Sequence, residues 1–558
     1  MGNPQSLEII PLGGLGEIGM NLLVYGCDGK LLIVDCGLTF PGSDTPGVDV
    51  IIPDVSFLVE NRDRVVGFVL THGHEDHTGA MPYIWPDIEG PIYGSAMTLG
   101  LLRVKFREHR LLDRATLIEV RNRQPFQVGP FNLCMIQVSH SIVDSSALAI
   151  KTPLGTIIHT GDFKIDHTPV DRRPTDLYSF ARYGESGVLA LLSDSTNINR
   201  RGATVSEQVV AEALLKVFTK REGLIVVATF ASNIQRIQQV FDAARAVERR
   251  VVISGRSMQT NIDVARSLGF LKVEDDMILD VRSFAHYQRC EMVVLSSGSQ
   301  GEPNSSLSRI AHGEHREIDL RPGDTVVLSS RFIPGNEQTI WAMVNRMFRS
   351  GAWVIHEANL PEIHVSGHAP QEDLKLMLAL TRPRYFIPIH GEIRHLHNHR
   401  NLAIQMGVDP GHALVVENGH RIVIDAAGMR QEGLVPSGRV FVDGKGIGDI
   451  SDIVLRDRRH LSEDGLVVVV LVVEKSTGAI LQRPELLTRG VVYEEDNRLL
   501  LEQAKEAVEE ALRLGPQGMD FAEDEGAGPL ELAQRAVRRF FKKKLGRRPA
   551  VIPLVMEM

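Results

Sequence analysis

At 558 residues the chain is too long for a single hydrophobic core, so two or three domains are expected. With 43% hydrophobic and 23% charged residues it has the composition of a globular protein, and it holds no apolar run of the ~18 residues that a membrane-spanning helix requires. A net charge of -9 argues against indiscriminate coating of nucleic acid, while leaving room for a local basic channel beside acidic metal ligands.

The start of the chain, 1–12, lacks a basic segment followed by an apolar core, so it reads as no secretory signal and a cytoplasmic protein is expected. Met1-Gly2 with Ser6 fits a loose myristoylation pattern that is short enough to arise by chance. Cys27, Cys36, Cys134 and Cys290 are far apart with no Cys-x-x-Cys pair, which predicts buried thiols in place of a disulfide frame or zinc ribbon. Glycine-rich Gly13-Gly14-Leu15-Gly16 lacks a Walker lysine and predicts a turn near the metal cleft.

A strand at 31–34 ends on Asp35, and the apolar run 65–70 leads directly into His72-Gly73-His74-Glu75-Asp76-His77. Imidazole and carboxylate are the usual ligands of zinc and its neighbours, and a turn leaving a buried strand lets several side chains converge while their backbones stay anchored. A lone His-x-His is more often a solvated turn. Here Asp76 and His77, with Gly73 and Gly79 permitting tight turning, predict a dinuclear metal site. Two metals need more ligands, and candidates end later strands: His140 after 131–138, Asp162 after 156–160, and His390 after 385–389. Each alone would read as a capping or turn residue; their repetition points to metal.

The organisation is α/β. Strands at 31–34, 68–70, 156–159 and 188–192 suit a sandwich of sheets covered by helices. A second block alternates helix 206–219, strand 225–228, helix 234–246 and strand 251–254, and continues through strands 293–296 and 326–329 in a doubly wound pattern. Because His390 returns to the metal site after this block, the second domain is expected to be inserted in the first, with the cleft between them a natural substrate channel. The expected boundaries are 1–204 and 366–432 for the sandwich, 205–365 for the insertion, 433–460 for a glycine-rich linker and 461–558 for a small α/β domain. That last domain reads as a strand at 466–473, a turn at 476–478, helices around 502–512 and 530–544, and a strand at 550–556 whose sheet edge offers a surface for pairing subunits. The basic run 535–548 reads as a solvated helix face packed by Val537, Phe540 and Phe541, in preference to an RNA contact.

Asp35, the HGHEDH block, His140, Asp162 within Thr160-Gly161-Asp162, and His390 resemble, in that order, the metallo-β-lactamase superfamily. Ser193-Asp194-Ser195-Thr196, Thr229-Phe230-Ala231-Ser232-Asn233 and His364-Val365-Ser366-Gly367-His368-Ala369 resemble β-CASP nuclease motifs. With Pro11-Leu12-Gly13-Gly14-Leu15-Gly16-Glu17-Ile18-Gly19 and Pro388-Ile389-His390-Gly391-Glu392, essentially the whole chain is similar to the bacterial ribonuclease J family. The resemblance implies a metallo-β-lactamase αββα sandwich with an inserted doubly wound β-CASP domain and a small C-terminal α/β domain for oligomerisation.

It also implies two divalent ions, zinc and/or manganese, one held by His72, His74 and His140, the other by Asp76, His77 and His390, with Asp162 bridging. Asp35 would orient a histidine ligand. Paired cations lower the pKa of a bridging water, and the resulting hydroxide attacks the scissile phosphate to leave a 5′-phosphate. Asp194 and His368 form a further catalytic pair, in which the carboxylate helps the imidazole hold a proton for the leaving oxygen. Ser232, Asn233, His364, Val365, Ser366, Gly367 and His368 are assigned to the 5′-phosphate and RNA. Asn233 equally suits the cap of the helix beginning at 234. A separate structural calcium is implied at Asp49 and Asp443.

The activity so implied is 5′-to-3′ exonuclease action preferring 5′-monophosphate RNA, with internal cutting, in ribosomal RNA maturation and messenger RNA decay. Single-stranded RNA, a homodimer extending to tetramers, and components of an RNA degradation complex are the expected partners, with no membrane. Three alternatives remain open. A β-CASP nuclease acting on DNA would differ in ignoring the 2′-OH. A small-molecule hydrolase of the wider superfamily is disfavoured by the insertion and its phosphate motif, and a non-catalytic RNA-binding subunit by the intact ligand set. Zinc and manganese are not separated, because the same ligands accept both.

Overall fold

Alternating side chains build the sandwich. In the strand Phe131–Gln137, Phe131, Leu133 and Met135 face one core and Ile136 the other. The structure, a computed structural model, describes residues 6–42, 44–333, 335–444, 446–449, 451–476, 479–493, 496–514 and 528–558; Met1-Gly2, and Thr477 and Gly478 of the turn expected at 476–478, lie outside them. An eight-stranded sheet runs in the order Gly428–Leu434, His420–Asp425, Leu7–Gly13, Leu22–Cys27, Lys30–Val34, Val65–Val69, Ile92–Gly94, Leu117–Glu119. A six-stranded sheet runs Tyr385–Ile389, Val188–Asp194, Gly155–His159, Ser146–Thr152, Phe131–Gln137, Pro125–Val128. Leu7, Ile9, Leu23 and Leu32 of the first share one core with Leu133, Leu148, Ile157 and Leu192 of the second. Each such fully buried side chain stabilises by roughly 1.5–3 kcal/mol.

Val188–Asp194 pairs in parallel with Tyr385–Ile389, Asp194 opposite Ile389. The chain therefore leaves this sheet after Asp194 and re-enters beside it almost two hundred residues later, which sets Asp194 and His390 at neighbouring strand ends. The intervening domain has six parallel strands in the order Ile278–Leu279, Arg250–Ser254, Met292–Ser296, Ile225–Ala228, Thr325–Leu328, Trp353–Ile355. Helices Gln208–Lys220, Ile234–Ala246 and Arg256–Ser267 cover one face, and Ser306–His312 and Glu337–Arg349 the other, the doubly wound arrangement. The two edge strands were not foreseen, being only two and three residues long.

A buried charge network joins the insertion to the sandwich. Glu207, just before Gln208–Lys220, accepts from Lys164 Nζ at 2.9 Å and from Arg236 Nη2 at 2.7 Å. Its backbone N–H donates to Asp166 at 3.0 Å. Arg236 also donates to the carbonyls of Ser329 and Ile363, at 3.1 and 3.2 Å, and to the Ser329 hydroxyl. Burying three charges costs several kcal/mol each, offset here because every one has a partner. Burial pushes the Glu207 carboxyl up, but Lys164 and Arg236 outweigh it and bring it down to about 2.

The second compact unit comprises Phe40–Val50 and Phe441–Met558; the first holds the segments up to Thr39 and Ile51–Val440. In the second, Leu466–Val473 lies between Glu485–Arg489, antiparallel, and Ala550–Glu557, parallel. Helices Arg498–Leu514 and Pro529–Leu545 pack on one face through Ala504, Val508, Val537 and Phe541, leaving Arg538, Arg539 and Lys542 exposed. The stretch 433–460, expected as a linker, holds the strand Arg439–Asp443 and much of a helix, Asp452–Asp464, which Ser451 caps and which buries Leu455. The preceding glycines mask that helix start in the sequence. Asp49 accepts from Gly444 N–H at 2.8 Å and Asp443 Oδ2 from Arg458 at 2.7 Å, so each carboxylate of the expected calcium pair already has a hydrogen-bond partner. The cysteines are free, but the expectation of four buried thiols is corrected: Cys134 is half-buried and Cys290, in the short turn Arg289–Glu291, is exposed. Among the described residues no helix is long and apolar enough to cross a membrane.

Because the Glu207 carboxyl titrates lower in the folded state than in the unfolded chain, its stabilisation is fully present above the unfolded value, near 4.5, and is lost as pH falls towards about 2. Glu207→Gln is expected to cost about 3–5 kcal/mol at pH 7 and to flatten the stability profile between pH 5 and 2. Urea unfolding followed by circular dichroism across that range checks both; equal midpoints for the two proteins at pH 7 would refute the role of the network.

Candidate metal centre

Three imidazoles are aimed inward by what their outer nitrogens bind. Asp35 stands at the end of Lys30–Val34 with φ of 61°, a conformation that costs a non-glycine residue on the order of 1 kcal/mol. Its carboxylate accepts from Thr71 N–H and Thr71 Oγ1, both at 2.8 Å, and from His77 Nδ1 at 2.7 Å. Since Thr71 gives its only hydroxyl proton to Asp35, Thr71 Oγ1 accepts from His72 Nδ1 at 3.0 Å. His140 Nδ1 donates to the Gly367 carbonyl at 2.7 Å. The Nε2 atoms of His72, His77 and His140 are thereby turned towards the centre.

There they meet the remaining candidates. His74 Nδ1 lies 3.1 Å from both His72 Nε2 and His140 Nε2. Asp162 Oδ2 lies 3.2 Å from His77 Nε2, 3.4 Å from His390 Nε2 and 3.7 Å from the Nε2 atoms of His72 and His140. Asp76 Oδ2 is 3.8 Å from His77 Nε2 and 3.7 Å from His390 Nε2. The expected ligands form two sets, His72, His74, His140 with Asp162, and Asp76, His77, His390 with Asp162, and a third set joins Asp162 and His390 to Asp194 and His368, each with ligand atoms within 4.8 Å of one another. All seven residues that the sequence marked as ligands are brought together. Gly79 permits this by close approach, since a Cβ there would stand 2.5 Å from the Glu75 carbonyl.

The donor chemistry suits divalent cations. Burial, reinforced by neighbouring imidazoles, drives His72 and His140 well below the ordinary histidine value; burial likewise takes His74 to about 4, leaving all three neutral with lone pairs free. Burial pushes Asp162 up, but His390 and His77 outweigh it and hold the carboxyl well below its usual range. Asp162 Oδ1 is buried without a hydrogen-bond partner among the described residues, a further acceptor atom in the same pocket.

Asp194 and His368 sit beside this centre. His368 Nδ1 donates to Asp194 Oδ2 at 2.9 Å and lies 3.9 Å from Asp162 Oδ2. Burial pulls the ring down, but the Asp194 charge and hydrogen bond, with Asp162 and Asp76, leave it raised to about 9. The strap carrying His368 is anchored at both ends: Ile363 and Val365 lie in the insertion's core, and Gly367 touches His140. His364 is half-buried, its inward Nδ1 without a hydrogen-bond partner among the described residues and the ring pushed to about 3 by burial and the Arg236 charge. Asn233 caps Ile234–Ala246, its Oδ1 accepting from Arg236 N–H at 3.0 Å, and Ser232 stands half-buried before it. Arg236 thus ties the Ser232-Asn233 turn to the strap. Residues the sequence reading missed include Thr71, Asn21, whose amide lies 3.1 Å from His77 Nε2, and Asn197, which donates to Ser366 Oγ at 2.8 Å and to the His368 carbonyl at 2.9 Å. Asn21 follows the glycine turn at 13–16, and Asn197 stands three residues after Asp194; only that proximity could have flagged them.

The chain matches four family models: a beta-lactamase superfamily domain over 32–181, a ribonuclease J beta-CASP domain over 222–347, a Zn-dependent metallo-hydrolase RNA specificity domain over 357–413, and a ribonuclease J C-terminal domain over 453–558. It is 42% identical to the ribonuclease J of Thermus thermophilus over 100% of this chain and 96% of that one. The chain belongs to the ribonuclease J family. Within that family it is also 40% identical to the Helicobacter pylori ribonuclease J, over 92% of this chain and 74% of that one. A solved protein of unknown function from Enterococcus faecalis shares the fold, with a TM-score of 0.53 and 17% identity over 75% of this chain and 100% of that one. As a member of the ribonuclease J family the chain is a nuclease hydrolase on a metallo-β-lactamase fold with a β-CASP insertion.

A Cβ at Gly367 would stand 2.9 Å from His140 Cε1, so Gly367→Ala must push the imidazole out of place. The variant is expected to keep its thermal midpoint within a few degrees while losing at least part of its bound divalent metal, read by elemental analysis after gel filtration. Full metal content and full activity in Gly367→Ala would show that the strap does not set His140.

Proposed function

We propose that the chain is a metal-dependent ribonuclease that degrades 5′-monophosphate RNA in the 5′-to-3′ direction and also cuts internally. The observation that carries this reading is the position of His368, bound to Asp194 and 3.9 Å from the carboxylate oxygen that both ligand sets share. His72, His74 and His140 would hold one cation and Asp76, His77 and His390 the other, with Asp162 between them. When bound, a pair of divalent cations acidifies water and offsets the charge of a phosphodiester.

The chain's own residues supply the rest. Asp35 and Thr71 fix which imidazole nitrogens face inward. His368 keeps Nδ1–H on Asp194 and holds a proton at Nε2 to give to the leaving oxygen, worth roughly 10²–10⁴ in rate for a well-placed acid. Ser232, Asn233 and the strap 364–368 take the 5′-phosphate through hydroxyl, amide and backbone N–H groups, the nest-like chemistry that suits a terminal anion. A pocket for that terminus favours stepwise release from the 5′ end. RNA as substrate is supported by the relatives, which are named ribonuclease J, and by the RNA specificity domain matched over 357–413.

The imidazole-rich sets suit zinc and accept manganese. We place the activity in the cytoplasm, in ribosomal RNA maturation and messenger RNA decay. Assembly as a homodimer is supported by the edge strand Ala550–Glu557, where Ile552, Leu554 and Met556 are 47, 49 and 52% exposed on one face.

The test is digestion of a 5′-labelled, 5′-monophosphate RNA and a matched DNA strand with manganese. Wild type is expected to release labelled mononucleotide from RNA alone, chelation and His77→Ala to abolish release, and His368→Ala to slow it by roughly 10²-fold or more. Equal cutting of DNA, or labelled products that are only long fragments, would sink the 5′-exoribonuclease reading.

A further inference from the structure

The loop after the strand Thr325–Leu328 brings a cation to the edge of the centre that no carboxylate claims. Arg331 is exposed, and its Nη1 donates to Asn197 Oδ1 at 3.2 Å. Among the described residues no carboxylate lies within 4.0 Å of it, whereas Arg236 pairs with Glu207 and Arg289 with Asp319 and Asp324. A guanidinium has five N–H donors in a fork shaped for phosphate oxygens, so one neutral acceptor leaves most of its capacity unspent.

Its position is set from two sides. Asn197, which receives the guanidinium, donates to Ser366 Oγ and to the carbonyl of His368, putting Arg331 two hydrogen bonds from the backbone of the imidazole beside the metal ligands. Gln300, 4% exposed, donates from Nε2 to the Arg331 carbonyl at 2.9 Å and accepts from Ile333 N–H at 2.8 Å. A buried amide thus clamps the loop backbone directly after an exposed arginine, on both sides of Phe332. The centre itself carries Asp35, Asp76, Asp162 and Asp194, on a chain of net charge -9, so a polyanion approaching it needs fixed cations at the rim.

We propose that Arg331 is a further substrate-binding residue, whose guanidinium, held by Asn197, grips a backbone phosphate of the RNA adjacent to the scissile one. The inference rests on the ribonuclease reading and adds to it a contact outside the terminal phosphate pocket. It applies to internal and terminal cutting alike, because a neighbouring phosphate is present in both.

The experiment measures kcat and KM of the full chain on a 5′-monophosphate RNA of ten nucleotides over a range of salt, for wild type, Arg331→Ala, Arg331→Lys and the control Arg349→Ala at an exposed helix end. Arg331→Ala is expected to raise KM roughly tenfold to a hundredfold with a much smaller change in kcat, and to flatten the dependence of log KM on log salt by about 0.7, the share of one phosphate on a single strand. Arg331→Lys should restore the salt dependence but only part of the KM, having charge without the fork. Arg349→Ala should match wild type. A fall in kcat with KM and salt dependence unchanged would overturn the proposal, showing that Arg331 acts only by positioning Asn197, and unchanged kinetics would overturn it outright. If wild type leaves the RNA intact, it is the ribonuclease reading that fails.

Discussion

Four imidazole nitrogens of buried histidines lie within 3.7 Å of one carboxylate oxygen, Asp162 Oδ2, and the first unit is organised around keeping that crowd in place. Left to themselves, buried imidazoles and a buried carboxylate repel, titrate or swing apart. Here three of the four rings are pinned from behind by groups of different origin: His77 by Asp35 from one sheet, His72 by Thr71 from a strand end, and His140 by the Gly367 carbonyl from the far side of the insertion. Two of the participating residues, Asp35 and His390, hold left-handed backbone conformations, a cost tolerated where the surroundings dictate it.

The insertion is coupled to this centre by charge as well as by chain connectivity. Glu207 takes one cation from the sandwich and one from the insertion's own helix, and the same Arg236 reaches the carbonyl next to His364. A wholly apolar junction could have been as stable; here Arg236 seats the helix against the strap by bonding Glu207 and the Ile363 carbonyl at once. That seating fixes where Gly367 and His368 fall relative to His140 and Asp194.

Much of this was legible in the sequence because strand ends are legible. Asp35, the HGHEDH block, His140, Asp162 and His390 each follow an apolar run, and a side chain at the end of a buried strand has few places to point. The alternation of helix and strand from 206 onward likewise announced a parallel sheet. What could not be read were partners distant in sequence: Lys164 with Glu207 and Arg236, or Asn197 with Ser366, where each residue alone looks like ordinary surface polarity. The helix Asp452–Asp464 was hidden for another reason, since its glycine-rich approach has the composition of a linker while the helix itself buries little beyond Leu455. The assignment of Phe40–Val50 to the second unit depends on contacts that no local pattern encodes.

The order in which the chain emerges during synthesis gives the inserted topology a further meaning. Six of the seven centre residues are made by position 162, but His390 and the Gly367 carbonyl that orients His140 come only after the whole parallel-sheet domain. A nascent chain on the ribosome, surrounded by RNA, therefore carries an incomplete centre until the insertion has been translated and has docked. The full ligand set arrives only with the strand Tyr385–Ile389 that leads into His390, so the completion of folding itself acts as the safety catch.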